Sequence, residues 1–179
     1  MGSTTRLATK KLALAAMFCG LGVVFLYFGS LLDVMNLTMV AIASLFVFCS
    51  EIEMGRGYSL LIYAVTSVLS MLLLPDKFTA FAYLGFGGIY PILKQVFERL
   101  PKWLSRLLKL LYFNAVLAAL ILISLFILKA EDMSPLYLIF LVLVGNVAFL
   151  AYDYAMEILI AVYRKKLRKR LRIQKYFEK

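Results

Sequence analysis

Two carboxylates lie within an otherwise apolar stretch near the carboxyl end of the chain. Asp153 and Glu157 are four residues apart, and Asn146 precedes Asp153 by seven residues, so the three roughly share one face of a helix. Ionisable groups in hydrocarbon are costly and usually have either a partner or a function. The pair therefore predicts a salt bridge to a cation such as Arg56, or alternatively a site that couples to protons or cations.

Small residues form a second pattern near the amino end. Ala15 and Cys19, and likewise Ala16 and Gly20, are four positions apart and so share a helix face. Helices in lipid gain little from hydrophobic contact with each other, and close packing depends on such small side chains. The spacing predicts a smooth strip that either packs inside the protein or docks a separate membrane subunit.

Glycine and proline interrupt the apolar stretch from Tyr83 to Pro91. Gly85, Gly87 and Gly88, together with the proline, make this the weakest helix-forming stretch of the protein. Two explanations are open. Neighbouring helices approach closely across Gly85 and Gly88, or the backbone opens beside a ligand cavity, as in the broken helices of transporters.

Several kinds of chemistry are absent from the sequence. The chain has no histidine, which removes imidazole bases, histidine-ligated zinc and Ser-His-Asp triads. It has no G-x-x-x-x-G-K-[ST] motif to hold ATP, and its two cysteines, Cys19 and Cys49, are too few for a four-thiolate metal site. We therefore expect a protein that is not an enzyme, holds no metal or cofactor, and receives any energy from other chains.

The residues discussed above lie in or beside long apolar runs of the sequence, which predict the helices that position them. The chain is 64% apolar and 17% charged, whereas a soluble domain is roughly half apolar and a quarter charged, so its composition suits a bilayer. About 20 apolar residues cross a membrane as a helix, and uninterrupted runs predict an all-α protein with six spans. The predicted spans are Leu12–Leu32, Asn36–Ser50, Tyr58–Leu74, Phe78–Leu93, Leu110–Leu128 and Leu136–Val162.

The positions of Lys and Arg predict the orientation, because cytoplasmic loops retain positive charge. With the amino terminus inside, 18 of the 20 Lys and Arg residues fall in cytoplasmic segments, and Lys77 and Lys129 lie outside. Both termini are then cytoplasmic, with a six-helix domain over residues 1–163 and a basic tail over 164–179. The net charge of +10 is explained by this topology and by anionic lipid headgroups, so we expect no nucleic-acid partner.

The segment Lys94–Lys109, between the fourth and fifth predicted spans, has an apolar and a basic face. This pattern predicts an amphipathic helix on the inner membrane surface, interrupted at Pro101, with Trp103 at the depth of the headgroups.

The segment that opens the first of six spans in this short chain resembles the substrate-binding S-components of energy-coupling-factor vitamin transporters. Its sequence is Thr9-Lys10-Lys11-Leu12-Ala13-Leu14-Ala15-Ala16. In that family an Ala-xxx-Ala face of the first span docks on a coupling membrane subunit, and ATPase subunits drive uptake. The resemblance implies that Ala15/Cys19 or Ala16/Gly20 is the docking strip.

The resemblance also implies a function and a ligand site. The family binds a vitamin-like micronutrient in the outer half, which corresponds here to Asp33, Asn36, Tyr83, Tyr137 and Asn146. It implies an uptake subunit of a bacterial cytoplasmic membrane.

Two other functions are compatible with the sequence. One is a membrane scaffold resembling the small six-span subunit of the bacterial rod-shape machinery, which would assemble partners on its basic inner surface. The other is a proton-coupled carrier that works through Asp153 and Glu157.

Overall fold

The structure, a computed structural model, describes residues 2–32, 35–126 and 135–163, with side chains for 6–32, 35–125 and 136–163. All regular elements in these ranges are helical. They are α1 (Gly2–Leu31), α2 (Asn36–Glu53), α3 (Arg56–Leu73), α4 (Lys77–Ala82), a π-helical turn (Tyr83–Gly87), α5 (Tyr90–Phe97), α6 (Lys102–Phe126) and α7 (Pro135–Val162). The predicted tail, residues 164–179, lies outside the described residues.

Five of the described helices are long and apolar enough to cross a membrane, and they correspond to five of the six predicted spans. They cover Arg6–Leu31, Asn36–Glu53, Arg56–Leu73, Lys102–Leu125 and Leu136–Val162. The prediction of a multi-pass helical membrane protein is therefore confirmed by the length and apolar composition of these helices.

The fourth predicted span, Phe78–Leu93, is not one continuous α-helix. It is divided into α4, the π-helical turn and α5. The breaks coincide with the Gly-Phe-Gly-Gly stretch and with Pro91, where weak helix propensity and a missing N–H disfavour regular α-helix.

The amphipathic helix predicted over Lys94–Lys109 is not a separate element. Its first residues complete α5, and residues from Lys102 onward form the first turns of α6, which continues to Phe126. Pro101 marks the boundary, and its carbonyl accepts a hydrogen bond from the N–H of Ser105 at 2.9 Å. No helix breaker follows Lys102, so the basic segment and the apolar span form one helix.

The chain divides into two compact units, Met1–Lys109 and Leu110–Lys179. In the first unit, α1, α2 and α3 pack against one another, and the interrupted helix from α4 to α5 packs on α2 and α3. The Lys11 ammonium lies 5.7 Å from the ring centroid of Tyr58, so the first third of α1 lies beside the start of α3. Successive helices therefore run in alternating directions.

A two-residue turn connects α2 to α3. The carbonyl of Ser50 accepts hydrogen bonds from the N–H groups of Met54 and Gly55, at 2.8 and 3.2 Å. Gly55 has φ 89°, a left-handed conformation that glycine adopts without steric cost. The hydroxyls of Ser50 and Ser59, on either side of the turn, are 3.1 Å apart.

The first unit buries hydroxyls and exposes large apolar side chains. On α3, Ser59, Thr66 and Ser70 are fully buried, whereas Val68 and Leu72 are 60% and 73% exposed. A soluble helix shows the opposite distribution. Exposed leucine and buried, hydrogen-bonding serine are what a lipid environment favours.

In the second unit, an amide pair joins α6 to α7. The nitrogen of Asn114 donates to the oxygen of Asn146 at 2.9 Å, and the nitrogen of Asn146 donates back to Asn114 at 3.0 Å. The rings of Phe113 and Phe149 stack beside this pair, with centroids 4.5 Å apart. Gly145 provides the space for the ring of Phe113 and the side chain of Leu117.

Candidate functional site

Asp76 organises the entry to the interrupted helix. Its side chain caps α4: Oδ1 accepts from the N–H of Phe78 at 2.9 Å, and Oδ2 accepts from the N–H of Thr79 at 3.1 Å. The hydroxyl of Thr79 donates to the same Oδ2. An aspartate at this position satisfies free N–H groups of the first helical turn, which is why α4 begins immediately after it.

Asn36, the first residue of α2, contacts the same carboxylate. Its Nδ2 donates to Asp76 Oδ2 at 3.1 Å, whereas its Oδ1 is buried and has no hydrogen-bond partner within the described part of the chain. Lys77 is also used locally, since its ammonium donates to the carbonyls of Met71 and Leu74 at the end of α3, both at 2.9 Å. We refer to Asn36, Asp76, Lys77 and Thr79 as the Asp76 cluster.

The π-helical turn follows directly after α4. The carbonyl of Tyr83 accepts from the N–H of Gly88 at 2.7 Å, a spacing of five residues, which is one residue wider than in an α-helix. The carbonyl of Leu84 instead accepts from the hydroxyl of Tyr63 on α3, at 2.9 Å. A side chain of a neighbouring helix thus satisfies a backbone carbonyl within the interruption.

The two glycines that end this turn allow close packing of helices. A Cβ on Gly87 would collide with the side chain of Val40 on α2, and one on Gly88 would collide with the ring of Tyr63. The close approach predicted at Gly88 is present, and Gly87 adds a second one. Of the two explanations for the glycines, the structure therefore shows helix packing at these positions.

Tyr83 connects the turn to the buried interior of the first unit. Its side chain is 1% exposed, and its ring lies against the positions where Gly87 and Gly88 would carry a Cβ. Asn36 is one helical turn from Val40, which packs on Gly87. Two of the five predicted ligand residues, Asn36 and Tyr83, thus belong to one packed region of α2, α4 and the π-helical turn.

Of the other three predicted ligand residues, Tyr137 and Asn146 lie on α7 in the second unit. Tyr137 is 49% exposed on α7, and the amide of Asn146 bonds to Asn114 and to the carbonyl of Val142. Asp33 lies outside the described residues.

The two alternative docking strips have different environments. Ala15 and Cys19 are buried, and the Cys19 thiol is 3.7 Å from the carbonyl of Ile62 on α3. Ala16 and Gly20 are exposed, and a Cβ on Gly20 would meet nothing within 4 Å. The Ala15/Cys19 strip therefore packs inside the first unit, and the Ala16/Gly20 strip is the accessible one.

The acidic pair occupies a single face of α7. Asp153 is half-buried and Glu157 is exposed one turn later. The cation suggested as a partner, Arg56, lies in the first unit, where its Nε is 3.7 Å from Oε1 of Glu51.

A charged cluster between the end of α5 and the first turns of α6 was not identified from the sequence. Glu98 Oε1 lies 3.3 Å from the ammonium of Lys94 and 3.4 Å from that of Lys109, and both lysines are buried. The spacing of Lys94 and Glu98 is a recognisable i,i+4 pair, but the contact with Lys109 depends on the turn at Pro101.

No protein-family model, no curated protein and no solved structure matches this chain.

Proposed function

We propose that the protein is a membrane-embedded subunit that binds a small, vitamin-like micronutrient and delivers it inward together with separate coupling and ATPase subunits. Its site is formed by the Asp76 cluster and Tyr83, at the outer end of the bundle. The protein itself carries out no chemical reaction.

One observation carries this proposal: the most buried helical segment of the first unit is also the interrupted one. Tyr83, Tyr90 and Lys94 are almost fully buried, although the segment contains a π-helical turn and Pro91. Irregular backbone at membrane depth is tolerated where it is buried in protein or lines a cavity, and transporters place substrate sites beside such segments.

The length of the interrupted segment supports a sixth crossing. Residues 77–97 would extend about 30 Å at 1.5 Å per residue, which matches the thickness of the hydrocarbon core. The segment starts next to Asn36 at the beginning of α2, and α4, the π-helical turn and α5 all pack on α2. It therefore accompanies α2 from end to end, which supports an even number of crossings with both termini in the cytoplasm.

We further propose that the exposed Ala16/Gly20 strip docks the coupling subunit. Small residues let two helix backbones approach closely in lipid, and Gly20 has open space around it. The buried Ala15/Cys19 strip is already occupied by α3.

The first experiment purifies the protein in mild detergent and analyses co-purifying small molecules by mass spectrometry. We expect one compound at near-stoichiometric amount. Its absence, together with recovery of cell-wall assembly proteins, would favour the scaffold function. Loss of uptake on Asp153→Asn with binding retained would favour the proton-coupled carrier.

The second experiment tests docking with two matched substitutions. Gly20→Leu fills the exposed strip on α1, and Gly57→Leu makes the same change at an exposed glycine on α3 that also has nothing within 4 Å. Affinity purification should recover fewer coupling subunits with Gly20→Leu and the normal amount with Gly57→Leu. Equal recovery would reject the docking assignment.

A further inference from the structure

The orientation of the Asn36 side-chain amide is fixed by its neighbour. A carboxylate only accepts hydrogen bonds, so the amide nitrogen of Asn36 must face Asp76 Oδ2, at 3.1 Å. The oxygen of the same amide then points away from the carboxylate. It is buried, and no donor from the residues that the structure describes reaches it.

Oδ2 of Asp76 has no capacity left for a further donor. A carboxylate oxygen offers about two acceptor positions, and Oδ2 already accepts from the N–H and hydroxyl of Thr79 and from the amide nitrogen of Asn36. Oδ1 accepts from the N–H of Phe78. Asp76 therefore acts as a positioning residue that holds Asn36, and Asn36 Oδ1 is the buried acceptor of the cluster without a donor among the described residues.

The ammonium of Lys77 does not supply the missing donor. It is held by the carbonyls of Met71 and Leu74 at the end of α3. A buried polar atom without a hydrogen bond is unfavourable, and a ligand that provides the bond recovers that free energy.

We propose that the ligand donates an N–H or O–H hydrogen bond to Asn36 Oδ1. This inference rests on the proposed function and specifies its ligand as an amide, amine or hydroxyl compound. Compounds that present only acceptors at this position, such as a fully ionised carboxylate, are excluded from this contact.

The test compares ligand occupancy in variants by mass spectrometry of the full chain purified from cells. Asn36→Ala removes the acceptor, and we expect occupancy equivalent to a loss in affinity of about 5- to 150-fold. Thr38→Ala, at an exposed position in the same helical turn, is the matched control and should keep the ligand. Circular dichroism and size-exclusion chromatography establish that both variants fold.

The possible outcomes distinguish failure of the hydrogen-bond inference from failure of the proposed function. A compound with an N–H or O–H donor that is lost only from Asn36→Ala supports the inference. A compound retained in Asn36→Ala, or one without such a donor, overturns the inference and leaves the proposed function standing. If no compound accompanies the wild type, a water alone occupies Asn36 Oδ1, and both proposals fail. If Asn36→Ala does not fold, Asn36→Ser, which keeps a donor for Asp76 with a shorter side chain, is compared in its place.

Discussion

The paired amides of Asn114 and Asn146 satisfy each other within an apolar pair of helices. Each nitrogen also donates to a carbonyl of its own helix, that of Leu110 or of Val142. Such an arrangement leaves few free hydrogen-bonding groups in lipid. The side chain that the family resemblance assigns to the ligand therefore has a structural role that follows directly from its contacts.

Removing the two amides singly and together should measure how much their mutual hydrogen bonds contribute to the free energy of unfolding. We expect the double-mutant cycle of Asn114→Ala and Asn146→Ala to give a coupling free energy of about 0.5–2 kcal/mol. The measurement is reversible unfolding by sodium dodecyl sulfate in mixed micelles. Val147→Ala, on the exposed side of α7, serves as the control, and a coupling near zero would contradict the role of the pair.

The hydroxyl of Tyr63 provides a second residue-scale prediction. Tyr63→Phe removes the donor to the carbonyl of Leu84 and should lower the free energy of unfolding by about 1 kcal/mol. Backbone amides of residues 84–90 should exchange hydrogen faster. Tyr27→Phe, at an exposed tyrosine, should change neither measurement, and identical effects of the two substitutions would refute the prediction.

At the scale of elements, regular spans and interrupted helices differ in how far the sequence predicts them. Hydropathy and length identify α1, α2, α3, α6 and α7, because each is a single apolar run with polar ends. The glycines and Pro91 indicate a weak helix, but the number of hydrogen bonds that shift to π spacing depends on contacts with α2 and α3. These contacts, such as that between Val40 and Gly87, join residues far apart in sequence.

The segment after the interrupted helix, residues 94–109, also could be predicted only in part from its sequence. The apolar and basic faces of residues 94–109 indicate helix, and the structure is helical on both sides of Pro101. The pattern of the segment alone does not reveal that its second half continues into the next span. The continuity follows from the absence of a breaker after Lys102, a property of the following residues.

Glycine substitutions test the close packing of these elements. Gly88→Ala places a methyl group against the ring of Tyr63, and we expect a loss of about 1–3 kcal/mol in the free energy of unfolding. Gly57→Ala has open space and should be neutral or stabilising by up to about 1 kcal/mol, because alanine is the better helix former. Thermal unfolding in detergent distinguishes these results, and a tolerated Gly88→Ala would show that the contact can relax.

At the scale of the whole molecule, the charge distribution of the sequence agrees with the internal contacts of the first unit about which helix ends share a side. Lys11 lies beside Tyr58 and Arg56 pairs with Glu51, so the basic ends of α1, α2 and α3 coincide. The Asp76 cluster occupies the opposite end of α2. The sequence predicts this separation because insertion follows positive charge, whereas the identity of the cluster depends on a cap, Asp76, that hydropathy does not distinguish from other loop residues.

The orientation of the bundle can be tested by cysteine labelling. In a variant without Cys19 and Cys49, a cysteine introduced at the exposed Met35 should react with a membrane-impermeant maleimide in intact cells. A cysteine at the exposed Gly57 should react only after permeabilisation, because it lies at the basic end. The reverse pattern would place the Asp76 cluster in the cytoplasm and exclude uptake from outside.

The two-residue turn between α2 and α3 determines how the chain can enter the bilayer during synthesis. With only Met54 and Gly55 between the helices, no loop is available to cross separately, and a translocon must release both segments as a hairpin. The hydroxyls of Ser50 and Ser59 can form their hydrogen bond only in that hairpin, so each helix gains this contact only when the other is present. In a nascent chain arrested within α3, α1 already anchors the chain, but a cysteine placed in α2 should still react with a water-soluble maleimide. Elongation past Leu74 should protect both helices together.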